Sequence, residues 1–201
     1  DKFTRTKMAL YNKVDLVVEL PMVFSVQSAN MFAYTSVSLL HHLKVDEIYF
    51  GSESGDIKEL EYIADLLESD DYNDLVKSFL SQGYSFPTSS DKSVRQLTNS
   101  AIYDSPNNIL GIQYIKAARK LKSPIVLKTF HRHEAGYYAN IIEGNNIQSA
   151  TAIRKKALLN EDISPYVPKS VHKLLVGRKL VSLDDFKDQL EYIINSATKD
   201  D

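Results

Sequence analysis

A chain of 201 residues with 43% hydrophobic and 25% charged content is long enough to bury a core, which excludes a disordered chain and fits one sizeable globular domain with room for a smaller appendage. It holds no cysteine, which excludes a disulfide framework, thiolate metal sites and cysteine nucleophiles, and predicts a reducing, cytoplasmic setting. The net charge of -2 hides an asymmetry: residues 1–100 hold 9 Lys and Arg against 15 Asp and Glu, a net -6, whereas residues 101–201 hold 15 against 11, a net +4.

Residues 2–11 carry a helical mix around Met8, Ala9 and Leu10, and because the chain opens on Asp1 rather than Met it is expected to be an excerpt of a longer protein. Asp15-Leu-Val-Val-Glu-Leu-Pro21 is a branched apolar run stopped by proline and predicts a buried strand. Residues 28–43 repeat apolar side chains at Met31, Phe32, Val37, Leu39, Leu40 and Leu43, as a helix does, and Asp46-Glu-Ile-Tyr-Phe-Gly51 predicts a second strand. Strand, helix and strand in this length predict a βαβ crossover with parallel pairing. The polar loop Gly51-Ser-Glu-Ser-Gly-Asp56 follows, then an amphipathic helix through Leu60, Ile63, Ala64, Leu66 and Leu67.

Further helices are expected over residues 72–82, 93–103 and 108–121, the last opened by Pro106-Asn-Asn. Pro124-Ile-Val-Leu-Lys128 predicts a third strand with Thr129-Phe-His-Arg-His133 as its exit. Ser149 or Thr151 is placed to cap a helix carrying Arg154 and Lys155. Prolines at 165 and 168 mark a change of texture, and residues 170–176 and 184–194 read as helices with no further strand. This divides the chain into an α/β domain over residues 1–160 and the start of a helical region over 161–201. The apolar runs at 16–20 and 125–127 are too short to span a bilayer, which predicts neither a membrane protein nor a secretory precursor.

Four stretches carry chemistry. In Gln148-Ser-Ala-Thr-Ala-Ile-Arg154 a hydroxyl pair opens a helix whose free N–H groups and positive dipole end suit a phosphate, and the arginine one turn on can fork onto phosphate oxygens; an ordinary capped helix with an exposed arginine explains the same residues. Arg132, just past a strand, can neutralise phosphate charge in adenylyl transfer, and His131 or His133 can meet a base or a triphosphate, with an exposed loop as the plainer alternative. Zinc at the two histidines lacks a third ligand at nearby spacing, so no metal site is assigned. Gly51, after Ile48-Tyr-Phe, allows close backbone approach to a nucleotide, and the Pro106-Asn-Asn entry can place an asparagine amide on the nucleotide while Asn107 caps, although plain capping explains one asparagine without any ligand. The late basic residues, Lys155 and Lys156 among them, suit a polyanion, either nucleotide phosphates or an RNA backbone.

Taken together, Asp1-Lys-Phe-Thr-Arg-Thr-Lys-Met-Ala-Leu10, Asp15-Leu-Val-Val-Glu-Leu-Pro21, Gln27-Ser-Ala29, Phe50-Gly-Ser-Glu-Ser-Gly-Asp56, Ser105-Pro-Asn-Asn-Ile-Leu-Gly111, Arg132-His133 and Ser149-Ala-Thr-Ala-Ile-Arg154 resemble the tRNA(Met) cytidine acetate ligases, in an order that covers most of residues 1–160. The resemblance implies an α/β, Rossmann-like HIGH-superfamily nucleotidyltransferase fold with a parallel sheet, followed by a helical segment. It implies formation of acetyl-adenylate from acetate and ATP, with an accompanying Mg²⁺, and acetylation of the wobble cytidine of elongator tRNA(Met). It carries ATP contacts onto Gly51, Asn108, Arg132 and His133 and onto the phosphate-binding block Ser149, Thr151 and Arg154, and leaves Lys155 and Lys156 for RNA. The family's Asn-Pro-Phe-His-Asn-Gly-His loop, similar to the HxGH motif, is expected upstream of Asp1, so the excerpt alone is expected to fall short of full activity. The alternatives that the residues leave open are a nucleotidyltransferase for another small acid or nucleotide, and a tRNA-binding module without catalysis.

Overall fold

The computed structural model describes residues 1–132 and 148–198. In chain order its elements are α1 (Lys2–Tyr11), α2 (Met22–Ser25), α3 (Ala29–His42), β1 (Glu47–Ser52), α4 (Ile57–Leu66), α5 (Asp70–Ser81), α6 (Phe86–Thr98), α7 (Pro106–Lys120), β2 (Val126–His131), α8 (Ala150–Leu158), α9 (Lys169–Leu175) and α10 (Lys187–Ser196). They group into two compact units, one formed by Asp1–Val18 with the described part of Glu134–Asp201, the other by Glu19–His133.

The second unit is the α/β one. β1 and β2 pair in parallel, from Glu47 opposite Val126 to Ser52 opposite His131, and α4 to α7 form the crossover that parallel pairing demands. α7 is its central helix. One side packs Ile112 and Ile115 against Leu60, Ile63 and Ala64 of α4, Tyr72 and Val76 of α5 and Val94 of α6; the other sets Ala117 and Ala118 against Val37 of α3. Gly111 lets α7 lie close on β1, because a Cβ there would meet the Phe50 ring at 2.4 Å.

Local signals set the helix starts. Ser28, Asp56, Ser69 and Ser85 each accept from a backbone N–H in the first turn of α3, α4, α5 and α6, which satisfies a donor the helix cannot pair internally. α6 stops at Asn99, whose left-handed φ of 53° ends the helix where a glycine often would.

The sheet differs from expectation at one place. Residues 15–20 form no strand, and Leu16, Val17 and Val18 are 68%, 37% and 43% exposed. An apolar run becomes a strand only where a neighbouring backbone completes its ladder, and among the described residues the ladder joins β1 to β2 alone. The crossover therefore runs from β1 to β2 rather than through residues 15–51. β2 also continues through Thr129, Phe130 and His131, the residues expected to form the exit from the strand.

In the first unit α1 packs on α9, with Ser170 Oγ donating to Asn12 Oδ1 at 3.0 Å and Arg178 Nη1 donating to Thr4 Oγ1 at 3.5 Å. Asp1 caps α1 by accepting from the Thr4 N–H at 2.8 Å. Among the described residues no helix is long and apolar enough to cross a membrane.

Candidate functional site

The C-terminal ends of β1 and β2, where parallel α/β sheets present ligand-binding loops, meet the first turn of α7. A buried polar pin joins the strand ends. Ser52 Oγ lies 2.7 Å from Thr129 Oγ1 and accepts from the Gly55 N–H at 2.9 Å, while Thr129 Oγ1 reaches the Phe50 carbonyl at 3.0 Å. Gly55 has a φ of +69° and sits against His131, whose Cβ would lie 2.7 Å from any added Cβ, so the loop turns tightly over β2 only with glycine there.

The loop then delivers Glu53 onto the start of α7. Its carboxylate accepts from the Asn107 N–H at 3.3 Å, the Asn107 Nδ2 at 2.6 Å and the Asn108 N–H at 2.8 Å. Partial burial pushes the Glu53 carboxyl upward, but the Asn107 side chain and the backbone N–H groups of Glu53, Asn108 and Asn107 outweigh it and hold the acid below its ordinary range. The N-terminus of α7 is thus already satisfied by an anion of the chain itself.

Asn108 is buried, with Oδ1 accepting from the Ser54 N–H at 2.9 Å and Nδ2 donating to the Ile102 carbonyl at 3.0 Å. Both ends of its amide hold the loop to α7. Asn107 instead turns its Oδ1 to Arg132 Nη1 at 2.8 Å. The Arg132 backbone N–H is anchored on the Ser52 carbonyl at 2.9 Å, and its side chain is exposed.

Gly51 serves this arginine. A Cβ at Gly51 would lie 2.5 Å from Arg132 Cγ and 2.9 Å from Cδ, so the space it leaves is taken by the arginine stem rather than held open for a ligand. The structure therefore brings Gly51, Asn107, Asn108 and Arg132 into one corner, with Glu53, which the sequence reading missed, as its hub. The signal for Glu53 lay in Gly51-Ser-Glu-Ser-Gly55, where two glycines fold the only acid of the stretch back over the strand ends. His133 lies outside the described residues.

The second predicted block belongs to the other unit. Ser149 caps α8, accepting from the Ala152 N–H at 3.1 Å, and Arg154 Nη2 approaches Thr151 Oγ1 at 3.3 Å. Lys156 pairs with Glu161 at 2.8 Å, and that hydrogen bond raises its pKa, while Lys155 is exposed on the same helix. Among the described residues no group of three His, Asp or Glu side chains is placed to hold a metal ion.

A parallel α/β pair with an arginine at its C-terminal strand ends is an arrangement that suits nucleotide binding, and the chain belongs to the HIGH nucleotidyl transferase family, whose model matches residues 1–201. Within that class it is similar to the tRNA(Met) cytidine acetate ligases of Caldicellulosiruptor bescii, 39% identical over 92% of this chain and 48% of the relative, and of Bacillus cereus, 40% identical over 89% and 48%. Among solved structures it is similar to apo Thermotoga maritima TmcAL, with a TM-score of 0.88 and 31% identity over 100% of this chain and 51% of that one. The same protein bound with alpha-thio ATP matches with a TM-score of 0.76 and 32% identity over 87% and 43%. The chain spans about half the length of the relatives it matches.

Proposed function

We propose that the chain carries ATP-handling residues of an ATP-dependent tRNA(Met) cytidine acetate ligase. The observation that carries this reading is the corner at the strand ends, where Gly51 makes room for the Arg132 stem and Asn107 fixes its guanidinium. That planar group offers five N–H donors in a fork that suits phosphate oxygens. The family match, the names of the relatives and the ATP analogue bound by the Thermotoga protein support it.

In this reading an acetate oxygen attacks the α-phosphorus of ATP, the bond to pyrophosphate breaks and acetyl-adenylate forms. The exocyclic amine of the wobble cytidine in elongator tRNA(Met) then attacks the acetyl carbon, AMP leaves and the amine loses a proton. Such chemistry needs alignment and charge neutralisation more than a protein nucleophile, and Arg132 supplies charge where the triphosphate lies. Asn108 acts by holding the loop, since both ends of its amide are engaged. Ser149, Thr151 and Arg154 form a second phosphate-binding group, and His133 is a further ATP contact. Lys155, exposed and one turn into α8, faces the RNA backbone with Lys156. A Mg²⁺ accompanying ATP would be held by phosphate oxygens and water, as that ion favours, and the enzyme works in the cytoplasm.

The test is ATP–pyrophosphate exchange by the full-length protein with and without acetate. Exchange that depends on acetate and collapses in Arg132→Ala is expected; exchange indifferent to acetate sinks the acetate ligase reading.

A further inference from the structure

The first turn of α7 offers an N-terminus of the kind that binds phosphate, yet Glu53 occupies it. The same carboxylate also decides which way the Asn107 amide lies. Arginine only donates and an ionised carboxylate only accepts, whereas an asparagine amide does both at opposite ends. Between them, Asn107 can satisfy both neighbours in one orientation alone, with Nδ2 toward Glu53 and Oδ1 toward Arg132, and this is the orientation found, at 2.6 Å and 2.8 Å.

We propose that Glu53 is a positioning residue for ATP: through Asn107 it fixes the guanidinium of Arg132 in the pose that receives the phosphates. The inference rests on Arg132 being an ATP contact. Glu53 does not touch the nucleotide; it removes the freedom of the group that does. By filling the end of α7 it also leaves Arg132, rather than the helix, as the anion-binding element of this corner.

Glu53→Gln keeps the shape and breaks the logic. The glutamine has one acceptor end and one donor end, so its NH₂ must face either the Asn108 N–H or the Asn107 groups. In the second case Asn107 is relieved by turning over, which sets its Nδ2 against the Arg132 guanidinium, donor against donor.

The experiment is calorimetric titration of the full-length protein with ATP for wild type, Glu53→Gln, Arg132→Ala and the double variant, with thermal midpoints recorded alongside. Glu53→Gln is expected to raise the Kd about tenfold, the scale of a lost charge-assisted hydrogen bond. In the Arg132→Ala background it is expected to leave the Kd unchanged while lowering the melting midpoint as it does alone, because capping of α7 does not depend on the arginine. Equal weakening of ATP binding in both backgrounds, or no weakening by either Glu53→Gln or Asn107→Ala, overturns the positioning role and leaves Glu53 as a helix cap. If Arg132→Ala itself binds ATP as wild type does, the assignment of Arg132 to ATP fails, and the positioning role with it. Asn107→Ala keeps both backbone bonds to Glu53 and so stays informative if Glu53→Gln does not fold. It is expected to reproduce the roughly tenfold weakening with little change in melting, and an unchanged Kd overturns the relay.

Discussion

The two regions assigned to phosphate are built on different scales. At the start of α8, Ser149 bonds the N–H three residues on and Arg154 approaches the hydroxyl three residues back. At the strand ends, Glu53 reaches 54 and 55 residues forward to Asn107 and Asn108, and Arg132 reaches back 25 residues to Asn107. A site made of neighbours survives damage elsewhere in the fold, whereas a site made of distant partners is only as good as the packing that brings them together. The contrast is therefore testable through mutations that spare the site and disturb its support.

The largest difference is expected in catalysis. Arg132→Ala should lower ATP–pyrophosphate exchange by on the order of a hundredfold, as loss of a charge aimed at the reacting phosphates does, and Arg154→Ala by on the order of tenfold, as loss of one partly solvated contact does. Equal losses would erase the distinction. Next comes support: Gly111→Ala forces a Cβ into the Phe50 ring and should cost about 1–3 kcal/mol in urea unfolding, the range for overpacking. Because Phe50 precedes Gly51, its displacement should also weaken ATP binding, while the α8 residues keep their hydrogen-exchange protection.

Ser149→Ala is the local counterpart. It should cost about 1 kcal/mol of α8 stability, the usual worth of a serine cap, read as faster exchange of the Ala152 amide, without altering the Glu53 corner. Acid is the mildest probe. The folded pKa of Glu53 lies below its ordinary 4.5, so its stabilising contribution is fully present above 4.5 and is lost as pH falls through the depressed value. A carboxyl carbon-13 titration that moves together with the Asn107 side-chain amide signals is expected; Glu53 titrating at or above 4.5 would contradict the hydrogen bonds described for it.

Local structure was legible in the sequence where chemistry is local. The amphipathic stripe of Leu60, Ile63 and Ala64 announced α4, and Ser149 announced the start of α8. α6 was misplaced for a physical reason: its buried residues are Ser89, Ser90, Ser93 and Val94, so apolar periodicity is nearly silent and the helix is set by Ser85, Pro87 and Asn99. The run at 15–20 has the composition of a strand, but pairing is a property of two segments and only one was in view. Likewise Gly51 and Arg132 were identifiable singly. That the glycine exists for the arginine stem, and that Glu53 ties both to α7 through Asn107, depended on partners the chain places far away.

One feature of the sheet governs how the protein comes to be folded. Every paired residue of β1 and β2 is separated by 79 positions, so the ladder cannot form until that whole span is closed, at an entropic cost on the order of 4 kcal/mol that no single strand contact offsets. The helices α4 to α7 share an apolar cluster that condenses within the span, and they shorten the search by delivering β2 to β1 already near its register. The corner that holds Arg132 is accordingly expected among the last parts to order, after the helical cluster, an order that pulsed hydrogen exchange would reveal as late protection of the β1 and β2 amides. During synthesis, Glu53 must wait for more than fifty further residues before Asn107 exists to receive it.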